Sequence, residues 1–178
     1  MSRLQKSKCP GYEVAPWSVI ESDFDADSYP ASEGILALAN GYMGIRSSFE
    51  EGLCFSQGRR GHYAATVFNA RPHPSVIALR GCPENPREIV NLPDFTCLRI
   101  FVDGDPLDLG PSEVLGCRRE LHMDTGILTR NAELVTFGGV HLELEARRFA
   151  TSRRPQIATR QLVPRALTRD GARSVENG

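Results

Sequence analysis

The sequence predicts a mainly β chain, an antiparallel β-sandwich with few short helices, and three observations carry the prediction. Apolar and polar residues alternate with period two through much of the second half, from Leu98 to Arg147. Turn signals separate those stretches at Asp103-Gly104, Asp124-Thr125-Gly126 and Gly138-Gly139. No internal repeat of roughly 20 to 50 residues is present, and the regular strand and turn spacing favours a sandwich over an α/β sheet.

Taken in order, Met1 to Gly11 is polar, ends in Cys-Pro-Gly and has no period, so residues 1–13 are expected to be a loose lead-in, with order from Val14. Trp17 to Phe24 is rich in β-branched and aromatic types and reads as a strand; Asp-Ala-Asp-Ser-Tyr-Pro then supplies a turn. Glu33 to Asn40 is a brief apolar run that fits a short helix or a strand equally, and Asn40-Gly41 turns the chain in either case. Between Gly52 and Pro93, Tyr63–Phe68 and Val76–Leu79 are two apolar islands among glycines and prolines, which predicts two strands set in long loops. Leu98, Ile100 and Val102 alternate with Arg99, Phe101 and Asp103, and Asp103-Gly104 makes a hairpin turn. Leu121 and Met123 alternate with Glu120, His122 and Asp124. After the Asp124–Gly126 turn, Ile127 to Phe137 and the row from Val140 continue the meander. Val140, Leu142, Leu144 and Ala146 point one way and His141, Glu143, Glu145 and Arg147 the other, the pattern of a sheet with one wet face. Gln156 to Val163 completes the strands. One folding unit over 14–163 and a disordered tail over 164–178 follow.

Composition bounds the function. With 178 residues, 40% hydrophobic and 24% charged, the chain is long enough for one core and too short for two ordinary domains. A net charge of -1 gives no field to attract a polyanion, so no nucleic acid is expected as partner. No stretch of about 18 apolar residues is present and no apolar run follows the first residues, so no membrane partner and a cytoplasmic location are expected. Cys9, Cys54, Cys82, Cys97 and Cys117 are odd in number and widely spaced, which predicts free thiols rather than a disulfide framework or zinc site.

Few motifs carry chemistry. Asp23, Asp25 and Asp27 have the spacing that opens a calcium loop, but Ser28 replaces the glycine and Gly34 the bidentate glutamate, which leaves an acidic turn. His62, His73, His122 and His141 lack metal-ligand spacing and read as solvated. No metal and no cofactor are expected, and no nucleophile elbow, P-loop or dinucleotide fingerprint occurs. The dense spot is Asn40-Gly-Tyr-Met-Gly-Ile-Arg46 followed by Glu50-Glu51. Its glycines allow tight turns that can present Asn40, Tyr42 and Arg46 from one loop, and amide, guanidinium, carboxylate and aromatic groups are what a sugar needs. The competing reading is a structural turn with an ion pair from Arg46 to Glu50 or Glu51.

The run Glu33 to Arg46 with Glu50-Glu51 resembles the N-terminal domain signature of glycoside hydrolase family 65. Asn91-Leu-Pro-Asp-Phe95, Val102-Asp-Gly104 and Leu121 to Arg130 resemble it too, in the same order. The likeness spans about Trp17 to Phe149. That family includes maltose, trehalose and kojibiose phosphorylases and acid trehalases. The resemblance implies a galactose-mutarotase-like super-sandwich, incomplete here, that accompanies an (α/α)6 barrel. In that barrel a glutamate acts as general acid and inorganic phosphate, as co-substrate, attacks the anomeric carbon with inversion. This sequence has no room for such a barrel and carries no catalytic residue of its own, so a fragment, inactive alone, is expected. The tail is expected to leave the family pattern after about Leu162. Asn40, Tyr42, Arg46, Glu50 and Glu51 are the candidate substrate-binding residues, for an α-glucoside disaccharide in a complete enzyme. A stand-alone carbohydrate-binding sandwich, or a module docking on a separately encoded barrel, are the alternatives. An open edge strand and an uncovered apolar face predict self-association, a homodimer among its forms.

Overall fold

The computed structural model describes residues 5–6, 11–51, 59–70 and 87–167. It is mainly β, with 48% of the described residues in strands and 5% in helix, built of several antiparallel sheets as a sandwich requires. The largest sheet has seven strands in the order β1-β2-β3-β11-β12-β13-β14. Its strands are β1 (Gln5–Lys6), β2 (Tyr12–Ala15), β3 (Ser18–Glu21), β11 (Glu113–His122), β12 (Ile127–Val135), β13 (His141–Ala150) and β14 (Ala158–Ala166). The opposing layer is formed by the described residues of the segment between β3 and β11. It contains helix α1 (Tyr29–Ile35), a three-stranded sheet of β4 (Leu38–Ala39), β5 (Met43–Ile45) and β6 (His62–Ala64), and two small ribbons. The ribbons pair β7 (Phe68–Ala70) with β8 (Arg87–Ile89) and β9 (Phe101–Val102) with β10 (Asp105–Pro106).

Alternation decides which face is wet. On β12 and β13, Leu128, Ala132, Leu134, Leu142, Leu144 and Ala146 are buried and face the opposing layer. Of these, Ala132, Leu134, Leu142 and Leu144 pack with Tyr29, Phe49, Ile100, Leu107, Leu109 and Cys117 as the main core, while Leu36 and Leu38 meet Leu128 in a smaller cluster. Burying one such leucine stabilises the fold by about 1.5 to 3 kcal/mol. Turn chemistry sets the register. Asp103 and Gly104 have φ of 54° and 91°, the pair of left-handed residues that a two-residue hairpin needs. Gly126 has φ 68° and donates its N–H to the His122 carbonyl at 2.8 Å, closing the β11–β12 turn.

Several boundaries differ from the sequence reading. The lead-in ends at Tyr12, and even Gln5–Lys6 pairs with Glu13–Val14; the Tyr12 hydroxyl lies 2.5 Å from Ser32 Oγ. Glu33–Asn40 is neither all helix nor all strand, since α1 ends at Ile35 and β4 takes Leu38–Ala39. The predicted strand at Leu98 shrinks to Phe101–Val102, because the Leu98 N–H donates to the Glu50 carbonyl at 2.6 Å instead of joining a ladder. β11 starts at Glu113, well before the visible alternation, since a bulge between Val114 and Gly116 shifts its register. The last strand continues to Ala166, past the expected boundary at 163. The Val76–Leu79 island, and His73 with it, lies outside the described residues.

Candidate functional site

The segment singled out by sequence, Asn40 to Glu51, runs as a strap from the β4–β5 turn across the inner face of the large sheet. Beyond Ile45 it has no regular secondary structure although Ser47 to Glu51 are buried. Buried backbone without a ladder must find partners for its carbonyls elsewhere. Five successive carbonyls do so. Arg46 O accepts from Arg148 Nη1 at 3.2 Å, Ser47 O from Arg119 Nη1 at 3.1 Å and Ser48 O from Arg148 Nη2 at 2.7 Å. Phe49 O accepts from Arg60 Nη2 at 3.3 Å, and Glu50 O from the Leu98 amide at 2.6 Å.

The arginines that do this come from the sheet. Arg119 on β11 and Arg130 on β12 are direct cross-strand partners, and Arg148 on β13 lies two residues beyond Ala146, the partner of Arg130. All three are at most 3% exposed. Like charges opposite one another in a buried ladder repel, so counter-charges are required between them. Glu21, opposite Arg119 on β3, pairs with it. Glu51 takes Arg130 in a fork, with Nη1–Oε1 at 2.7 Å and Nη2–Oε2 at 2.5 Å. Glu50 accepts from Arg148 Nη2 at 2.5 Å and lies 3.5 Å from Arg130. Three arginines thus meet three glutamates. The Phe49 ring lies within 4.8 Å of the Arg119 guanidinium carbon and 4.5 Å of that of Arg130. Burial opposes ionisation of Glu50, but the charges of Arg130 and Arg148 outweigh it and hold its carboxyl below the ordinary 4.5.

The remaining candidates are also engaged with protein groups. Asn40 Nδ2 donates to the carbonyls of Thr151 at 2.8 Å and Pro155 at 3.0 Å. Its Oδ1 accepts from the amides of Tyr42 and Met43, while Gly41 at φ 86° completes the turn. Tyr42 is half-buried in that turn, and its carbonyl accepts from the Ala65 amide at 2.7 Å. Arg46 does not pair with Glu50 or Glu51. Its Nη2 donates to the Pro30 carbonyl at 2.8 Å and stands 3.7 Å from Glu33. A Cβ on Gly61 would come within 2.7 Å of the Arg46 Cδ, so this stem needs a glycine beneath it. The structure therefore joins Glu50 and Glu51 in one network and places Asn40 and Arg46 at the two other anchor points of the strap.

His62 corrects a further expectation: it is buried, with Nε2 3.2 Å from Thr96 Oγ1 and 3.3 Å from Asp94. Burial pulls its pKa below the ordinary 6.5 against the attraction of Asp94. Asp94 itself accepts from the Thr96 and Cys97 amides and pairs with Arg60. At the acidic turn, Asp25 Oδ1 accepts from the Asp27 amide, and among the described residues no group of three metal-ligating side chains forms. Cys97 and Cys117 are free thiols, and burial pushes Cys117 up to about 11. No helix among the described residues is long and apolar enough to cross a membrane.

The sequence reading missed Glu21, Glu33, Arg119, Arg130 and Arg148. A signal existed: Arg148 continues the inward row Leu142, Leu144, Ala146, and Arg130 stands in the row of Leu128, Ala132 and Leu134. A charged residue in phase with an apolar row is a buried one needing a partner.

The family model "Glycosyl hydrolase family 65, N-terminal domain" matches residues 19–178. The chain belongs to this family. The match runs through the expected tail, so the family 65 pattern does not end near Leu162. An uncharacterised glycosyl hydrolase of Mycobacterium leprae is 30% identical over 88% of this chain and 19% of its own length. The kojibiose phosphorylase of Caldanaerobacter subterraneus subsp. tengcongensis is 33% identical over 92% of this chain and 20% of its own length. A solved structure titled "Putative kojibiose phosphorylase from human microbiome" superposes with a TM-score of 0.77, covering 93% of this chain and 21% of that one. At 20% identity it establishes the shared fold. The family 65 domain seen here thus spans about a fifth of the length of the curated relatives it matches.

Proposed function

We propose that this domain serves the phosphate-dependent cleavage of an α-glucoside disaccharide, as the N-terminal sandwich that supports a catalytic unit. The observation that carries the proposal is the strap. Glu50 and Glu51, the two carboxylates nearest a catalytic appearance, are buried in ion pairs with Arg130 and Arg148. Such groups shape a surface; they do not exchange protons with a glycosidic oxygen. The relatives named as phosphorylases support that reaction class, in which inorganic phosphate is the second substrate, and the proposal gives this domain no cofactor. The free thiols of Cys97 and Cys117 support work in a reducing compartment, the cytoplasm.

The test is a hybrid in which this chain replaces the matching N-terminal segment of the Caldanaerobacter kojibiose phosphorylase. The hybrid is expected to fold and to convert kojibiose and phosphate to glucose and glucose 1-phosphate, while the chain alone releases neither. A folded hybrid without turnover, or turnover by the chain alone, would overturn the proposal.

A further inference from the structure

The outward face of β13 runs His141, Glu143, Glu145, Arg147 and then Phe149, so a charged row ends in an aromatic that is 37% exposed. Its cross-strand partner on β12 is Ile127, which also faces outward. Ile157, at the foot of β14, is 42% exposed beside them. These three side chains line an open groove of about 810 Å³ at this end of the sheet, between the Asp124–Gly126 turn and the Thr151–Ile157 loop. Asp124, Ser152, Arg153 and Arg154 stand along its polar rim.

The walls are fixed before any ligand arrives. Asn40 Nδ2 ties down the loop through the Thr151 and Pro155 carbonyls. Within the loop the Thr151 hydroxyl donates to the Arg154 carbonyl at 2.6 Å, and the Ile157 amide donates to the same carbonyl at 2.9 Å. The facing turn is closed by the Gly126 to His122 bond. A preformed concavity with an apolar strip and a few polar groups is the usual form of a small-molecule site.

The chemistry selects the ligand. A pyranose ring has an apolar face of C–H bonds that packs on an aromatic or branched side chain, and a rim of hydroxyls that both donate and accept. The groove offers Phe149, Ile127 and Ile157 for the face. Carboxylate, hydroxyl and guanidinium groups are available for the hydroxyls. The rim carries both charge signs, Asp124 against Arg153 and Arg154, which suits a neutral polar ligand better than an ion of either sign. We infer that this groove is a saccharide-binding site, taking a short neutral α-glucoside, at the Asn40 end of the strap and away from its buried Ser47–Glu51 part. The inference rests on the reading that the domain serves α-glucoside chemistry, and adds to it a place where such a sugar is held.

Titration calorimetry of the full chain with kojibiose, maltose, trehalose and, separately, inorganic phosphate tests it. An open groove should bind at least one of the sugars saturably, with Kd on the order of 1 mM. Phe149→Ala should weaken that binding about tenfold. Arg154→Ala, on the loop and away from the core, should weaken it several-fold. Phe137→Ala, at the opposite end of β12 and 86% exposed, should leave it unchanged. Circular dichroism of each variant separates lost binding from lost folding, and Arg154→Ala carries the test if Phe149→Ala does not fold. A folded chain that binds none of the sugars, binds phosphate alone, or binds sugar equally in both groove variants would overturn the inference. An active hybrid enzyme together with a groove that binds no sugar would sink the groove and leave the proposed function standing.

Discussion

Arg130 shows how one buried side chain can fix a stretch of irregular backbone. It serves Glu51 through two bonds and Glu50 at 3.5 Å, and its guanidinium lies over Phe49. Removing one partner of a buried pair strands the other charge, at a cost of about 3 to 5 kcal/mol. Arg130→Met is accordingly expected to destabilise the domain by about that amount in urea unfolding, and adding Glu51→Leu should recover part of the loss. The same network predicts a pH dependence. Glu50 titrates below its ordinary value in the folded state, so its stabilisation is complete above pH 4.5 and disappears as pH falls through the depressed value. Asp94 has the same sign. Burial raises its pKa, but the Thr96 amide and hydroxyl and the Arg60 guanidinium overcome this and hold it at about 2. Stability measured by urea unfolding at stepped pH should therefore fall progressively from about pH 4.5 to about pH 2. Glu50→Gln should flatten the upper part of that fall. Residue types alone made Glu50 and Glu51 visible in the sequence and left their partners hidden, because Arg130 and Arg148 are 79 and 98 residues away along the chain. Spacing arguments reach one turn or one strand; a long-range pair needs the register of the sheet.

Among the elements, the hairpins were legible and the opposing layer was not. Asp103-Gly104, Asp124–Gly126 and Gly138-Gly139 specify their turns locally, and β12 and β13 alternate without interruption. The strap and the short strands β4 to β8 are held by tertiary contacts, such as the Arg46 amide on the Gly61 carbonyl, that no local pattern announces. β14 is instructive in a different way. Among the described residues it pairs with β13 alone. The bonds from Leu167 N to His141 O and from Thr151 N to Ile157 O fix the phase of the ladder. Odd-numbered residues of β14 bond to β13, and Ala158, Arg160, Leu162, Pro164 and Ala166 turn their backbone groups outward. Pro164 therefore costs no ladder bond, and it removes one donor from the edge that another strand would use. Arg160 adds a charge to the same edge. The self-association expected of an open edge thus meets two built-in obstacles. Pro164→Thr restores the missing donor and should raise the apparent mass in a concentration series by light scattering, while the parent chain changes less over the same range.

For the whole molecule, the arginine-carboxylate network decides how the layers come apart. Glu21 of β3 bonds both Arg119 of β11 and Ser32 of α1, Ser32 reaches the Tyr12 hydroxyl of β2, and the Ser47 hydroxyl donates to the Ser32 carbonyl. Through Arg119, Arg130 and Arg148 the strap is tied to three neighbouring strands at once. Sheet and opposing layer cannot separate without exposing buried charges on both, so partial opening of the strap carries nearly the full cost of losing the core. That predicts one cooperative unit comprising β3, α1, the strap and β11 to β13. The β9–β10 ribbon, with two residues in each strand, stands apart from the charge network and should open locally at its Asp103-Gly104 tip, while Ile100 and Leu107 at its base stay with the core. Native-state hydrogen exchange in low denaturant checks this. Amides of β12, β13 and Leu98, whose N–H closes the strap, should converge on a single exchange free energy. If Leu98 instead exchanged with the free energy of the β9–β10 ribbon, the strap would be an independent flap, and the three buried arginines would have to be explained by something other than layer cohesion.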